Sequence, residues 1–156
     1  MRTKLQQRKD SGFTIIEVLI VLAIAGLILL VVFLAVPALQ RNGRNTAMKS
    51  DVQNLLGGVS EYLSNNDGKA PTGISGTGDI TLTDGGTPAI EQTTKVRAST
   101  TVTYTADEPT AGEISISMGQ KCSGDAMTTT GATTRSVAVL YHIETSGGTI
   151  LKCAES

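Results

Sequence analysis

Apolar and polar positions divide the chain into three patterns. From Val18 to Val36 no side chain is polar. From Met48 to Leu63 the apolar residues Met48, Val52, Leu55, Leu56, Val59, Tyr62 and Leu63 recur at helical spacing, which makes one stripe of an amphipathic helix. The spacing assigns Lys49, Asp51, Gln53, Asn54 and Glu61 to the opposite, polar face. Beyond Gly68 the period drops to two, in Val102, Tyr104 and Ala106, in Ile114, Ile116 and Met118, and in Val137, Val139, Tyr141 and Ile143. Each set lies on one face of a strand.

The first two patterns predict one long helix from Phe13 to about Ser64. Asn65-Asn66-Asp67-Gly68 supplies the residues that tolerate a left-handed C-terminal cap. Pro37 removes a backbone donor, and Gly43 and Gly57-Gly58 lower helix propensity, so bends or local melting are expected there. At 1.5 Å per residue, Val18–Val36 is about 28 Å long, close to the ~30 Å hydrocarbon thickness of a bilayer. The run can span a membrane.

After Gly68 the chain becomes rich in Thr and Gly. Residues 71–94 carry turn signals around one short candidate strand, Ile80 to Thr83, with Gly73, Gly76 and Gly78 read as loop glycines. Asp107 to Gly112 and Ser146-Gly147-Gly148 are expected to be hairpin turns. The result is a meander of three or four antiparallel strands, whose apolar face the Met48 to Leu63 stripe can cover. The fold class is therefore α+β, a small antiparallel head on a long N-terminal helix.

Composition adds two points. At 156 residues and 16.2 kDa the chain suits one compact domain and is too short for two. Its formal net charge of -1 hides a basic start, Arg2, Lys4, Arg8 and Lys9 against Asp10, and an acidic remainder. A global charge suited to nucleic acid is absent from the body of the protein, and no specific nucleic-acid partner is expected. Cys122 and Cys153 could close one disulfide if the domain is exported, and the alternative is two buried thiols.

The four basic residues before the apolar run, and Arg41, Arg44 and Lys49 after it, give only a weak preference for a cytoplasmic N-terminus. An ordinary secretory signal has small residues available at Val36-Pro37-Ala38, yet its apolar region is normally ~7 to 15 residues, shorter than this one. No Cys adjoins the run, as a lipoprotein signal would need. Neither a signal nor a plain anchor explains the order Lys9-Asp10-Ser11-Gly12-Phe13-Thr14-Ile15-Ile16-Glu17-Val18, with a carboxylate at the edge of the span. An acidic group at a bilayer centre costs about 2.5 to 3.5 kcal/mol on insertion scales. Glu17 is thus either functional or placed at the interface.

These residues resemble the N-terminus of a type IV prepilin. In that family a short basic leader ends in Gly, the new N-terminal residue is usually Phe and becomes N-methylated, and a Glu follows four residues later. Gly12, Phe13 and Glu17 occupy those places, Thr14 also matches, and Gly26 matches a small residue within the apolar stretch. The proline typical of the stretch falls three residues later than usual, at Pro37.

The resemblance implies cleavage by a prepilin peptidase between Gly12 and Phe13, methylation of Phe13, and an assembly role for Glu17. Residues 1–12 would be the leader, 13–39 the membrane-spanning and filament-core half of the helix, 40–66 its amphipathic half, and 67–156 the β head. The chain would be a structural subunit of a homo-oligomeric surface filament, inserted first in the cytoplasmic membrane and then extracellular. Its partners would be the peptidase, an inner-membrane platform and a cytoplasmic ATPase, with no cofactor and no catalysis. Alternatives are a minor pilin, a pseudopilin of a type II secretion or DNA-uptake system, or a monomeric membrane-anchored extracellular binding domain.

The head offers little chemistry of its own. His142 is the single histidine and reads as a surface or edge-strand residue, with a Ser-His-Asp arrangement only imaginable. The glycines at 73, 76 and 78 do not form a phosphate-binding fingerprint. Asp79 and Asp84 could join an oxygen-ligand calcium site, but no run of acidic residues at the required spacing is present, and no metal site is expected. Exposed Thr and Ser could accept O-linked sugars.

Overall fold

The computed structural model describes residues 12–86 and 91–156. The chain falls into two compact units, Met1–Gln40 and Arg41–Ser156. Helix α1 runs Ile15–Asn65 and so contributes to both. In the first unit it is the sole described element, and every described residue is exposed, from Phe13 at 89% to the aliphatic side chains Leu22 at 63% and Leu34 at 75%.

The second unit is a helix laid on a sheet. All seven residues of the predicted stripe are buried, with Leu55 and Val59 at 0%. They pack on Ile74, Ile80, Leu82, Val102, Ile114, Ile116, Val137 and Val139 in one apolar core. The helix ends where the Asn/Asp/Gly cluster predicts. The Gly68 amide reaches back to the Leu63 carbonyl at 2.7 Å, a Schellman closure in which Asp67 (φ 54°) takes the left-handed position and Gly68 (φ 77°) follows it.

The melting expected at Pro37, Gly43 and Gly57-Gly58 does not occur, since the helix is unbroken through all of them. At Gly58 the reason is packing. An added Cβ would lie 2.6 Å from the Thr94 Cβ, so the glycine admits the neighbouring strand to the helix backbone. There Thr94 Oγ1 donates to the Asn54 carbonyl at 3.2 Å.

The sheet is larger than the expected three- or four-stranded meander. Strands β1 (Gly73–Thr77), β2 (Asp79–Thr83), β3 (Glu91–Lys95), β4 (Thr101–Tyr104), β5 (Glu113–Met118), β8 (Val137–Thr145) and β9 (Gly148–Glu155) stand in the order β3-β2-β1-β4-β5-β8-β9. Gly73 and Gly76 therefore belong to a strand and not to a loop. A Cβ on Gly76 (φ 142°) would collide with the Asp79 carbonyl oxygen, so the β1–β2 turn depends on that glycine. Within the 71–94 stretch read as carrying turn signals, residues 87–90, which include Pro88, lie outside the described residues.

Ser146 and Gly147 do close a hairpin, with Thr145 opposite Gly148. Asp107 to Gly112 does not, because β4 and β5 are parallel, Thr101 pairing with Glu113 and Tyr104 with Ile116. The connection of residues 105–112 can reach about 26 Å when extended, ample to run back along a four-residue strand of about 13 Å. β4 ends at Tyr104, leaving that side chain 39% exposed and Ala106 outside the core.

A second small sheet, β6 (Lys121–Ser123) paired with β7 (Ala126–Thr128), completes the head. Leu140 is opposite Cys153 in the β8–β9 ladder, and Cys153 is bonded to Cys122 on β6 with 5.7 Å between Cα atoms. The small sheet is thereby held to the face that carries Leu140 and Ala138, both buried. A cross-link over a separation of 31 residues stabilises by roughly 3.5 to 4 kcal/mol in the chain-entropy picture.

Candidate processing and assembly site

Gly12 and Phe13 precede the helix and are exposed, and Thr14 is its N-cap. The Glu17 amide donates to Thr14 Oγ1 at 3.3 Å. In return Glu17 Oε2 accepts from the Thr14 amide and from the Thr14 hydroxyl, both at 2.8 Å. Thr14-Ile15-Ile16-Glu17 is thus a capping box, which satisfies amide donors that a helix start otherwise leaves open. The T-x-x-E spacing before an apolar run announces this in the sequence, although the motif resemblance alone does not. Oε1 of Glu17 accepts no hydrogen bond among the described residues. One carboxylate oxygen holds the helix start and the other is open to a further donor.

From Ile15 onward the helix is long and apolar enough to cross a membrane. A helix apolar on every side needs lipid or other protein around it.

The head residues singled out in the sequence fall as follows. Cys122 and Cys153 are brought together in the disulfide. His142 is not on an edge: β8 lies between β5 and β9, and the His142 side chain is only 13% exposed. The C-terminal strand β9 adds outside β8 and makes it internal. His142 Nε2 sits 3.3 Å from Glu108 Oε1, and its Nδ1 is buried without a hydrogen-bond partner among the described residues. Asp79 is engaged by Lys95 at 2.8 Å, while Asp84 Oδ1 accepts the Gly86 amide at 2.9 Å. These two carboxylates flank opposite ends of β2, about 16 Å of strand apart, and share no site.

Two polar constellations were not legible in the hydrophobic pattern. Asp51, expected on the polar face, is buried at 3%. It accepts from the Arg97 amide at 3.1 Å, from Arg97 Nε at 2.8 Å and from the Thr100 hydroxyl at 2.7 Å. It fastens the helix to the β3–β4 connection, and three donors offset the cost of burying its charge. One turn and a half earlier, Asn45 exchanges two 2.7 Å bonds with the Glu144 backbone, its Nδ2 donating and its Oδ1 accepting. Arg44 adds a fork onto the Glu144 carboxylate, Nε and Nη2 each at 2.6 Å. The Arg44 fork holds that carboxyl below the usual carboxylate range, and Arg41 adds a smaller effect of the same sign. Of the basic residues after the apolar run, Arg44 is therefore a structural tie, and Lys49 remains exposed.

The helix, the mostly antiparallel sheet against its second half, and the apolar first half define an α+β, pilin-like architecture. Residues 7–33 match the prokaryotic N-terminal methylation motif, so the chain carries a prepilin-like N-terminus, as Gly12, Phe13 and Glu17 imply. No curated protein and no solved structure matches the chain.

Proposed function

We propose that this protein is a structural subunit of a type IV pilus-like surface filament. The observation that carries the reading is the motif over residues 7–33 joined to a helix whose first half is apolar and exposed on all sides. In this reading residues 1–12 are a leader and prepilin peptidase cuts between Gly12 and Phe13. Phe13 is then N-methylated, residues 13–39 hold the precursor in the cytoplasmic membrane, and the amphipathic half over 40–66 carries the 67–156 head outside. An inner-membrane platform and its ATPase extract the subunit. Once out of lipid, the apolar surface is buried against copies of itself, which removes it from water. The subunit has no catalytic task.

Cleavage places an α-ammonium on Phe13 close to Glu17. The capping box leaves Glu17 Oε1 for the ammonium of an incoming subunit, and an unpaired charge in an apolar filament core would cost several kcal/mol. Misregistered docking is thereby penalised. The same features suit a minor pilin or a pseudopilin, and abundance in sheared filaments separates the roles.

Mass spectrometry of the N-terminus tests the processing step. The mature chain is expected to begin at methylated Phe13, and Gly12→Val is expected to leave full-length protein in the membrane and no filaments. Normal filaments from Gly12→Val would refute the reading.

A further inference from the structure

A cavity of about 340 Å³ opens within the head, in the size range of small-ligand sites. Its wall includes Arg44 from the helix, Arg97 and Ser99 from the β3–β4 connection, Ala111 from the β4–β5 connection, and His142 and Thr149 from β8 and β9. Its chemistry follows from which polar groups are already used.

The carboxylates in and against the wall are partnered, Glu108 by His142 Nε2 at 3.3 Å. Glu144, the sole carboxylate in the wall, is forked by Arg44. Asp51, which Arg97 contacts, already receives three donors. Several donors are not taken. Arg97 bonds Asp51 through its amide and Nε, and its two terminal nitrogens donate no hydrogen bond among the described residues. Arg44 uses Nε and Nη2 and leaves Nη1. The hydroxyls of Ser99 and Thr149 have no side-chain partner there either.

A pocket whose free charged groups are guanidinium N–H donors, with its carboxylates already partnered, selects an acceptor-rich anion. We propose that this cavity binds a small oxyanion, a carboxylate or a phosphate, held by Arg97 and Arg44 with Ser99 and Thr149 at its rim. The proposal is independent of filament assembly, because all these residues belong to the second unit.

The test uses the full chain, isotopically labelled, in uncharged maltoside micelles, titrated separately with inorganic phosphate and with acetate against chloride at matched ionic strength. Saturable amide shifts at Arg97, Ser99 and Gly112 with either anion are expected, and the stronger of the two identifies the source of the oxyanion. Ser99→Asp places a carboxylate at an exposed wall position, and Ala111→Phe fills space from another. Each is expected to weaken binding at least about tenfold, by like-charge repulsion in the first case and by exclusion in the second, while the remaining amide spectrum is retained. Shifts no larger than those from chloride, or undiminished binding by both correctly folded variants, would overturn the proposal.

Discussion

The two stretches of α1 are built from the same kinds of aliphatic residue and bury them differently. In the first unit Leu22, Leu27 and Leu30 are all more than half exposed. In the second, Leu55 and Val59 are fully buried while Gln53, Asn54 and Glu61 face solvent. A stripe satisfied within its own chain makes a domain. An apolar surface exposed on every side among the described residues calls for lipid or other protein around it.

That contrast predicts opposite consequences for substitutions of similar size. The largest concerns Glu17. Glu17→Gln is expected to insert in the membrane and be cleaved, yet to yield few or no filaments when it is the only copy, as counted by electron microscopy of sheared material. Thr14→Val sharpens this, since it removes half of the capping box, worth about 0.5 to 2 kcal/mol of helix stability, and keeps the carboxylate. If Thr14→Val lost filaments as completely as Glu17→Gln, Glu17 would act through its cap alone.

Next in size is the pair Leu55→Ala and Leu22→Ala. Leu55 is at 0% exposure, so its truncation should destabilise the head by about 2 to 5 kcal/mol. Leu22→Ala should leave head unfolding within about 0.5 kcal/mol of wild type and act on filament yield instead. Urea unfolding of both variants in micelles separates the two effects. Equal loss of head stability would mean that the first half of the helix is also part of the folded core.

The contrast also shows what could be read from the residues. The helix, its buried stripe, its end at Asp67-Gly68 and the β8–β9 hairpin follow from local patterns, because period and turn chemistry are properties of short segments. The parallel pairing of β4 with β5 depends on where a loop returns in space, and nothing in 105–112 announces that return. β1 and β3 are poor in alternating aliphatics, having GISGT and EQTTK, and became strands through their neighbours. Asp51 falls on the stripe's flank, where helical spacing says polar, and is buried because Arg97 and Thr100 come to it from more than forty positions away. At the N-terminus the motif over residues 7–33 and the Thr14–Glu17 capping box are both matters of local spacing, since the residues concerned are near neighbours in the chain.

A smaller effect distinguishes two adjacent glycines. Nothing lies within 4 Å of a Cβ built on Gly57, whereas one built on Gly58 meets Thr94. Gly57→Ala is therefore expected to raise head stability by about 1 kcal/mol through helix propensity. Gly58→Ala should lower it by about 1 to 3 kcal/mol through overpacking, with partial recovery when combined with Thr94→Ala. A stabilising Gly58→Ala would show that the helix and β3 can separate at no cost.

The smallest effect is a pH dependence, and it resides where the helix first engages the sheet. The Arg44 fork lowers the Glu144 carboxyl in the folded head, so folding favours its charged form. A carboxylate depressed by folding contributes stability above its unfolded value, about 4.3 for Glu, and loses that contribution as pH falls from there through the lower folded value. The pair is exposed to solvent, so the contribution is small and screened by salt. Comparing the Tm of wild type with that of Glu144→Gln from neutral pH downward isolates it from Glu113, whose carboxyl Thr110 also holds low. The two values should differ most above about pH 5 and converge as pH falls below about 4. Arg44→Gln should show the same convergence, since it removes the cause of the depression. The Asn45 bonds to the Glu144 backbone do not titrate, so both variants should keep a folded head at every pH where wild type does. A constant gap across that range would mean that Glu144 does not contribute through its ionised form.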